Sequence, residues 1–251
     1  MVDATALPPT FVPNNVRWYN LRRMHPDLAK FSHALVALVL GLSCLSHGLG
    51  QSGTSAESLK TLRARAAQGD AITQYNLGVM YNNDEGVARD YAEAVRWYRK
   101  AAEQGYAVAQ CWLGIKYWSG EGVTQDYAEA YRWIRKSVDQ GYAFAQYSLG
   151  NMHELGLGVE QDSSQAVRWF REAAWQGEAL AQYSLGNMYE RGRGVAQDYL
   201  QAHMWMNLAA SRANGDNQKL YAEARDNVAR KMTPAQIAEA QSLAREWKPK
   251  I

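Results

Sequence analysis

Residues 107–141 read AVAQCWLGIKYWSGEGVTQDYAEAYRWIRKSVDQG, and residues 143–177 read AFAQYSLGNMHELGLGVEQDSSQAVRWFREAAWQG, the same pattern set 36 positions later. The step holds in three separate registers: Gly78, Gly114, Gly150 and Gly186; Asp90, Asp126, Asp162 and Asp198; Trp97, Trp133, Trp169 and Trp205. A shared period in three residue types is the signature of tandem units. On the N-terminal side, Thr61–Gly69 (TLRARAAQG) matches the closing residues of Trp97–Gly105 (WYRKAAEQG). A lone second helix, from near Ser55, therefore opens the array.

Each unit predicts two helices. The first runs from about Ala107 to Tyr117, with apolar or small residues recurring at spacings of three and four. A Gly-x-Gly-Val loop follows (Gly120, Gly122, Val123; Gly156, Gly158, Val159; Gly192, Gly194, Val195), where glycine tolerates positive φ and lets the chain reverse. In the first unit Asp84 replaces the leading glycine ahead of Gly86 and Val87, so a different loop conformation is expected there. The second helix opens on Asp with Glu or Gln three residues later: Asp90 with Glu93, Asp126 with Glu129, Asp162 with Gln165, Asp198 with Gln201. That is the capping-box pattern, in which two orphaned backbone donors are satisfied. Gly105, Gly141 and Gly177 supply the stop. A helix pair of this size cannot offset the roughly 1–2 kcal/mol per residue of ordering entropy from its own burial. Stacking on neighbouring units supplies the rest.

The strings Gln74–Gly78, Gln110–Gly114, Gln146–Gly150 and Gln182–Gly186, the Gly-x-Gly-Val loop, Asp-Tyr-x-x-Ala and Trp-x-x-Lys-Ala-Ala-x-Gln-Gly resemble the Sel1-like repeat family over about residues 55–215. The resemblance implies an all-α fold, a right-handed α/α superhelix (solenoid) of helix-turn-helix repeats akin to tetratricopeptide arrays. Tetratricopeptide units themselves have 34 residues and lack this loop. Three regions are expected: a leader at 1–50, a solenoid of a half repeat plus four repeats at 51–215, and C-terminal capping helices at 216–251. The last unit drifts, with Gly215 lying 38 residues after Gly177. Beyond it, residues 218–230 and Thr233–Trp247 read as two helices, the latter with Thr233 at N-cap, Pro234 next and Gln236 completing a capping box.

The leader holds the one sustained apolar run, Ala34–Ser46 (ALVALVLGLSCLS), preceded by Lys30 and followed by Gly48-Leu49-Gly50. This is the layout of a secretory signal, and the run is shorter than the roughly 20 residues a membrane crossing needs. Met24 begins an n-region of ordinary length, so translation is expected to start there. Two other fates fit the same residues: acylation of Cys44 in a lipoprotein-like signal, or an uncleaved anchor over Phe31–Gly50. All three imply export, with a periplasmic protein as the first expectation and a membrane-anchored lipoprotein as the alternative.

The chain of 251 residues is 47% hydrophobic and 21% charged, which describes a folded chain. Lys plus Arg number 27 against 25 Asp plus Glu. The leader holds four of the former and two of the latter, leaving residues 51–251 neutral with 23 of each. No broad field exists to collect nucleic acid, and contact with a membrane is expected only through the leader or a lipidated Cys44. With Cys44 and Cys111 alone, a disulfide-stapled scaffold and a cysteine-based zinc site are excluded.

Variation between units separates packing from working surface. Positions 74, 77, 78 and 81 and their equivalents share one helical face and scarcely change. Glycine inside a helix costs about 1 kcal/mol against alanine, so Gly78 and its equivalents imply another helix too close for a methyl group, with Ala94 and Trp97 and their equivalents as the complement. Positions 72, 76, 79 and 83 form a second stripe and differ in every unit: Ile72, Asn76, Val79, Asn83; Val108, Trp112, Ile115, Ser119; Phe144, Ser148, Asn151, Leu155; Leu180, Ser184, Asn187, Arg191. The resemblance implies that first helices line the concave side. Trp112, Ile115, Phe144, Asn151, Leu155, Asn187 and Arg191 are therefore the expected lining of a groove for a protein or peptide, Trp112 as an exposed contact. Filling of the space between repeats is the competing reading for Val108, Phe144 and Leu180.

Catalytic chemistry is not legible. Outside the leader only His153 and His203 remain, fifty residues apart, and His153 sits in the Tyr81 register as a packed, hydrogen-bonded imidazole. Cys111 takes the register of Tyr75, Tyr147 and Tyr183, a small buried substitute with no adjacent base. No phosphate-binding Gly-Lys-Ser/Thr occurs. Clusters such as Arg96, Arg99, Lys100 and Arg132, Arg135, Lys136 read as a solvated outer face. No metal or cofactor is expected. The function expected is a non-enzymatic scaffold or adaptor of the bacterial envelope; the alternative is an envelope enzyme or cell-wall-binding protein acting on peptidoglycan or β-lactam-like ligands. A third expectation is a regulatory subunit tethered through Cys44 or the apolar run.

Overall fold

The structure, a computed structural model, describes residues 52–250, and the expectations for the leader lie outside them. Eleven helices make up the described chain: α1 Ser52–Ala67, α2 Ala71–Asn83, α3 Tyr91–Glu103, α4 Ala107–Ser119, α5 Tyr127–Val138, α6 Ala143–Leu155, α7 Ser163–Trp175, α8 Ala179–Arg191, α9 Tyr199–Arg212, α10 Gly215–Ala229 and α11 Pro234–Glu246. Each of α2, α4, α6 and α8 packs on the helix that follows it and on the one before it, and no strand occurs among the described residues. This is an all-α solenoid of α-hairpins, with α1 as the lone opening helix.

The invariant glycines set the spacing inside each hairpin. A methyl at Gly78 would stand 2.5 Å from the Tyr98 ring, at Gly114 2.6 Å from Ile134, at Gly150 2.6 Å from Phe170 and at Gly186 2.8 Å from Met206. The carbonyls of Ala94, Ala130, Ala166 and Ala202 lie 3.0–3.3 Å from the same four points, and those alanines are fully buried. Small residues on both helices let the backbones approach, and Tyr98, Ile134, Phe170 and Met206 fill the space beside them. Each such side chain contributes about 1.5–3 kcal/mol on burial.

Glutamine stitches one unit to the next. Gln74 Nε2 donates to the Ala66 carbonyl (2.9 Å), and Gln110 and Gln182 repeat the bond to Ala102 (3.1 Å) and Ala174 (3.2 Å). The free oxygen then accepts from a glutamine 30 residues on: Gln104 to Gln74 (2.7 Å), Gln140 to Gln110 (2.7 Å), Gln176 to Gln146 (2.8 Å). The buried amides of Gln74 and Gln110 thereby have partners on both their nitrogen and their oxygen, as buried polar groups require. Arg99 Nη2 likewise donates to the Tyr117 hydroxyl (2.7 Å) and Arg171 to that of Tyr189 (3.1 Å). Part of the basic cluster read as solvated face is thus a joint between units, whereas Arg96 and Arg132 remain outside, paired with Glu93 (3.1 Å) and Glu129 (2.6 Å).

The caps form by one arm only. Asp90, Asp126, Asp162 and Asp198 accept from the backbone N–H three residues on at 2.9–3.0 Å. Their own N–H groups donate not to the Glu or Gln of a capping box but to the carbonyls of Tyr81, Tyr117, His153 and Tyr189 at 2.9–3.0 Å. The loop returns that close to the first helix, so a backbone acceptor displaces the side-chain one. At Thr233 both arms of the box form, with Gln236.

The first loop keeps the shape of the others, contrary to expectation. Asp84 stands at φ 65°, ψ 38° and Gly156, its equivalent, at φ 67°, ψ 38°. In the later units a glutamine donates back across the loop, as Gln125 to the Trp118 carbonyl (2.7 Å) and Gln161 to that of Glu154 (2.8 Å). In the first unit Arg89 holds that register, and its backbone N–H donates to the Asp84 carboxylate (3.1 Å). One local bond replaces another, and Asp is among the few side chains tolerated at positive φ.

At the C-terminus, Trp247 stacks on Trp175 (6.0 Å between centroids) and meets Trp205 edge-on (6.3 Å). Arg212 lies over its face at 4.4 Å, and the Lys250 N–H donates to the Trp175 carbonyl (2.9 Å). The tail covers the last hairpins. The helix expected over 218–230 begins at Gly215, directly after the drifting unit.

Candidate functional site on the first helices

Positions 72, 76, 79 and 83 and their equivalents form a row on α2, α4, α6 and α8, and the structure divides it. Trp112 is 4% exposed and stacks on Phe144, itself 3% exposed, with 5.9 Å between centroids. The expectation of an exposed tryptophan is corrected. Neighbouring first helices lie side by side, so a ring at one column reaches the ring of the next unit, and the pair packs between α4 and α6 rather than facing a ligand. Phe144 follows the space-filling alternative, while Val108 and Leu180 are half-buried. Asn151 is also interior, at 1% exposed. Ile115, Leu155 and Asn187 are half-buried, and Arg191 stands exposed at the end of α8.

Asn151 is unusual among these. Its amide faces the Tyr147 hydroxyl, where it opposes the upward pull of burial, and it makes no other hydrogen bond.

A second column, at the N-cap of each first helix, also changes from unit to unit. It reads Asp70, Tyr106, Tyr142, Glu178. Asp70 caps α2 by accepting from the Ile72 N–H (3.2 Å), and Glu178 caps α8 from the Leu180 N–H (3.3 Å). The tyrosines make no cap bond, which forgoes about 1 kcal/mol each. Their rings pack instead: Tyr106 edge-on to Tyr75 (5.5 Å) and Tyr142 edge-on to Phe144 (6.4 Å). Tyr147 lies between Phe144 and Phe170, 5.9 Å from each. The signal was present as the switch from Asp to Tyr to Tyr to Glu at one column, but an N-cap reads as a helix boundary and not as surface.

Burial pushes the Glu178 carboxyl above the usual carboxylate range, the Leu180 N–H opposing it. Burial carries the Tyr147 hydroxyl up to about 12, and lifts that of Tyr142 well above its ordinary value, with Glu178 adding to both. The same burial raises the Cys111 thiol far from neutrality. Cys111, fully buried, is a thiol and not a nucleophilic thiolate. His153 and His203 are both lowered by burial; the His153 imidazole is hydrogen-bonded to the Glu160 backbone, as expected for the tyrosine register, and Nδ1 of each ring makes no hydrogen bond. Among the described residues no group of three or more His, Cys, Asp or Glu is arranged to hold a metal ion, and no helix is long and apolar enough to cross a membrane.

The Sel1 repeat model matches residues 71–106, 107–142, 143–178 and 179–214. Among solved structures the chain is similar to a Sel1 repeat protein from Oxalobacter formigenes, at 26% identity and a TM-score of 0.62, covering 78% of this chain and 92% of that one. It is also similar to a protective antigen present in uropathogenic Escherichia coli strains displaying an SLR fold, at 30% identity and a TM-score of 0.51. That likeness covers 76% of this chain and 48% of the antigen, so this chain spans about half of its length. No curated protein matches the sequence.

Proposed function

The chain belongs to the Sel1 repeat family, and from that premise we propose that it is a non-enzymatic scaffold of the bacterial envelope that binds a protein or peptide along its first helices. The carrying observation is the division of labour between columns. Gln74, Gly78, Ala94 and their equivalents are consumed by joints and close helix contacts. Of the row that differs in every unit, Ile115 and Leu155 lean only partly on the core while Asn187 and Arg191 stand partly or fully exposed, and these four are available to specify a partner. Half-buried aliphatic residues flanked by an amide and an exposed guanidinium suit an extended peptide or a helix. Export follows from the leader's layout.

Affinity capture from envelope extract tests this. Asn187→Ala and Arg191→Ala are each expected to lose a partner that the wild-type chain retains, with unchanged circular dichroism. Retention of every partner by both variants overturns the reading. Fractionation with intact-mass measurement tests the location: a mass beginning near Gln51 marks cleavage, and a diacylglyceryl-modified Cys44 marks a lipoprotein.

A further inference from the structure

We propose that the array carries a hinge between α5 and α6, and that protonation of His153 opens it. The device needs no bound partner and stands apart from the scaffold reading. At the other junctions two bonds tie a second helix to the first helix of the following unit. One is the buried glutamine bond, from Gln74 to Ala66, Gln110 to Ala102 and Gln182 to Ala174. The other joins residues 18 apart: Arg63 donates to the Tyr81 hydroxyl (2.7 Å), Arg99 to that of Tyr117 (2.7 Å) and Arg171 to that of Tyr189 (3.1 Å). Between α5 and α6 neither forms. Gln146 accepts from Gln176 but does not donate to the Val138 carbonyl. Arg135 finds His153 where a tyrosine stands elsewhere, and turns to Asp139 (3.0 Å) and to the Trp169 ring (5.5 Å).

Two departures in sequence coincide with the two missing bonds. The acceptor column reads Ala66, Ala102, Val138, Ala174, and the hydroxyl column reads Tyr81, Tyr117, His153, Tyr189. Valine brings a branched side chain to a contact built for alanine, and an imidazole is shorter than a phenol. The bond that spans this junction instead, from Gln176 Nε2 to the Gly141 carbonyl (3.0 Å), lies exposed, where water competes for both groups. Trp112 stacked on Phe144 still holds α4 to α6. An apolar pivot between first helices, with the polar ties to the second helix gone, is the arrangement of a hinge. The helices themselves stay formed; only their junction yields.

His153 gives the hinge its trigger. Arg135 of α5 and Asp162 at the N-cap of α7 act on the imidazole, the Glu160 backbone bonds it, and its neighbour Glu154 is engaged by Arg193. Burial above all, with Arg135 adding to it, holds His153 below its ordinary value against the pull of Asp162 and the Glu160 backbone. A closed junction therefore binds the proton less well than an open one in which the ring is hydrated, and opening sets in as pH falls below about 6.5.

Spin-label distances in the full chain test this, in a Cys44→Ser background with Cys111 fully buried. Labels at Arg132→Cys and Arg168→Cys straddle α5 and α6; labels at Arg96→Cys and Arg132→Cys straddle α3 and α4 at the same 36-residue spacing. At about pH 7.5 the first pair is expected to give the broader distribution, and at about pH 5.0 it should shift while the second pair stays put. His153→Tyr and His153→Gln should each abolish the acid shift, and Val138→Ala should narrow the neutral distribution toward that of the second pair. Equal breadth for the two pairs at neutral pH, an acid shift common to both, or an acid shift that survives in His153→Gln each overturns the proposal.

Discussion

A single methyl group separates the two helices of a unit. Gly150→Ala gains about 1 kcal/mol of helix propensity, but its Cβ would stand 2.6 Å from the Phe170 ring and 3.3 Å from the Ala166 carbonyl. Overpacking of that kind costs about 1–3 kcal/mol, so a net loss in urea unfolding is expected. Gly122→Ala should lose more. There the new group meets the backbone at Tyr91 of the preceding unit, with no side chain to give way, and φ is +76°. Asp84 and Arg89 make a sharper test. Asp84→Gly relieves a positive φ and forfeits the bond to Arg89, whereas Asp84→Gly with Arg89→Gln restores the pairing of the other loops. The double variant should exceed the sum of the singles in thermal unfolding. The glycine spacing disclosed the close approach; the Asp84 conformation was misread because a residue type was taken as evidence of backbone shape, when a local hydrogen bond can hold either residue in the same one.

Within elements, the alternation of caps and stops was legible because each acts within a few residues. Asp126→Ala should cost about 1 kcal/mol, since Asp126 holds the N–H groups of Ala128 (2.9 Å) and Glu129 (3.0 Å). Mutating Glu129 should matter less than a capping box implies, because the Asp126 N–H donates to Tyr117. What a helix faces was harder to read. α6 is enclosed by α5, α7 and neighbouring first helices, so its variable stripe is largely interior, and two variable residues, Trp112 and Phe144, turn out to fill space. Variation between units therefore marks both a ligand surface and a compensated pair of packing residues, and sequence cannot separate them when the compensation lies in the next unit. Trp112→Ala is accordingly expected to destabilise the fold by about 3–5 kcal/mol, seen in denaturant unfolding, instead of acting on binding alone.

At the scale of the molecule, stability should be graded along the array. Interior hairpins have neighbours on both sides, so amide exchange is expected to be slowest in α5–α7 and faster in α2 and α10, with Trp247→Ala raising exchange in α9–α11 first. A uniform profile would speak against a chain of coupled units. Stability should also fall in mild acid. His153 and His203 have folded pKa values held below their ordinary one by burial, so between those values and about 6.5 the unfolded chain binds more protons. The contribution is complete above about 6.5 and declines as pH falls through the lowered values. Thermal melts at about pH 7.5 and pH 5.5 should show a smaller difference for His203→Gln than for wild type. The glutamine joints carry one more consequence. Each is closed by the same pair 30 residues apart until position 212, where arginine stands in the register of Gln104, Gln140 and Gln176, turns to Trp247, and leaves the Gln182 oxygen unpartnered. Duplicating or excising one internal tract of 36 residues would present the same glutamine joint at both seams, so gene-level expansion or contraction can alter reach while reusing that joint, provided the ends travel intact and Trp112 keeps Phe144 beside it.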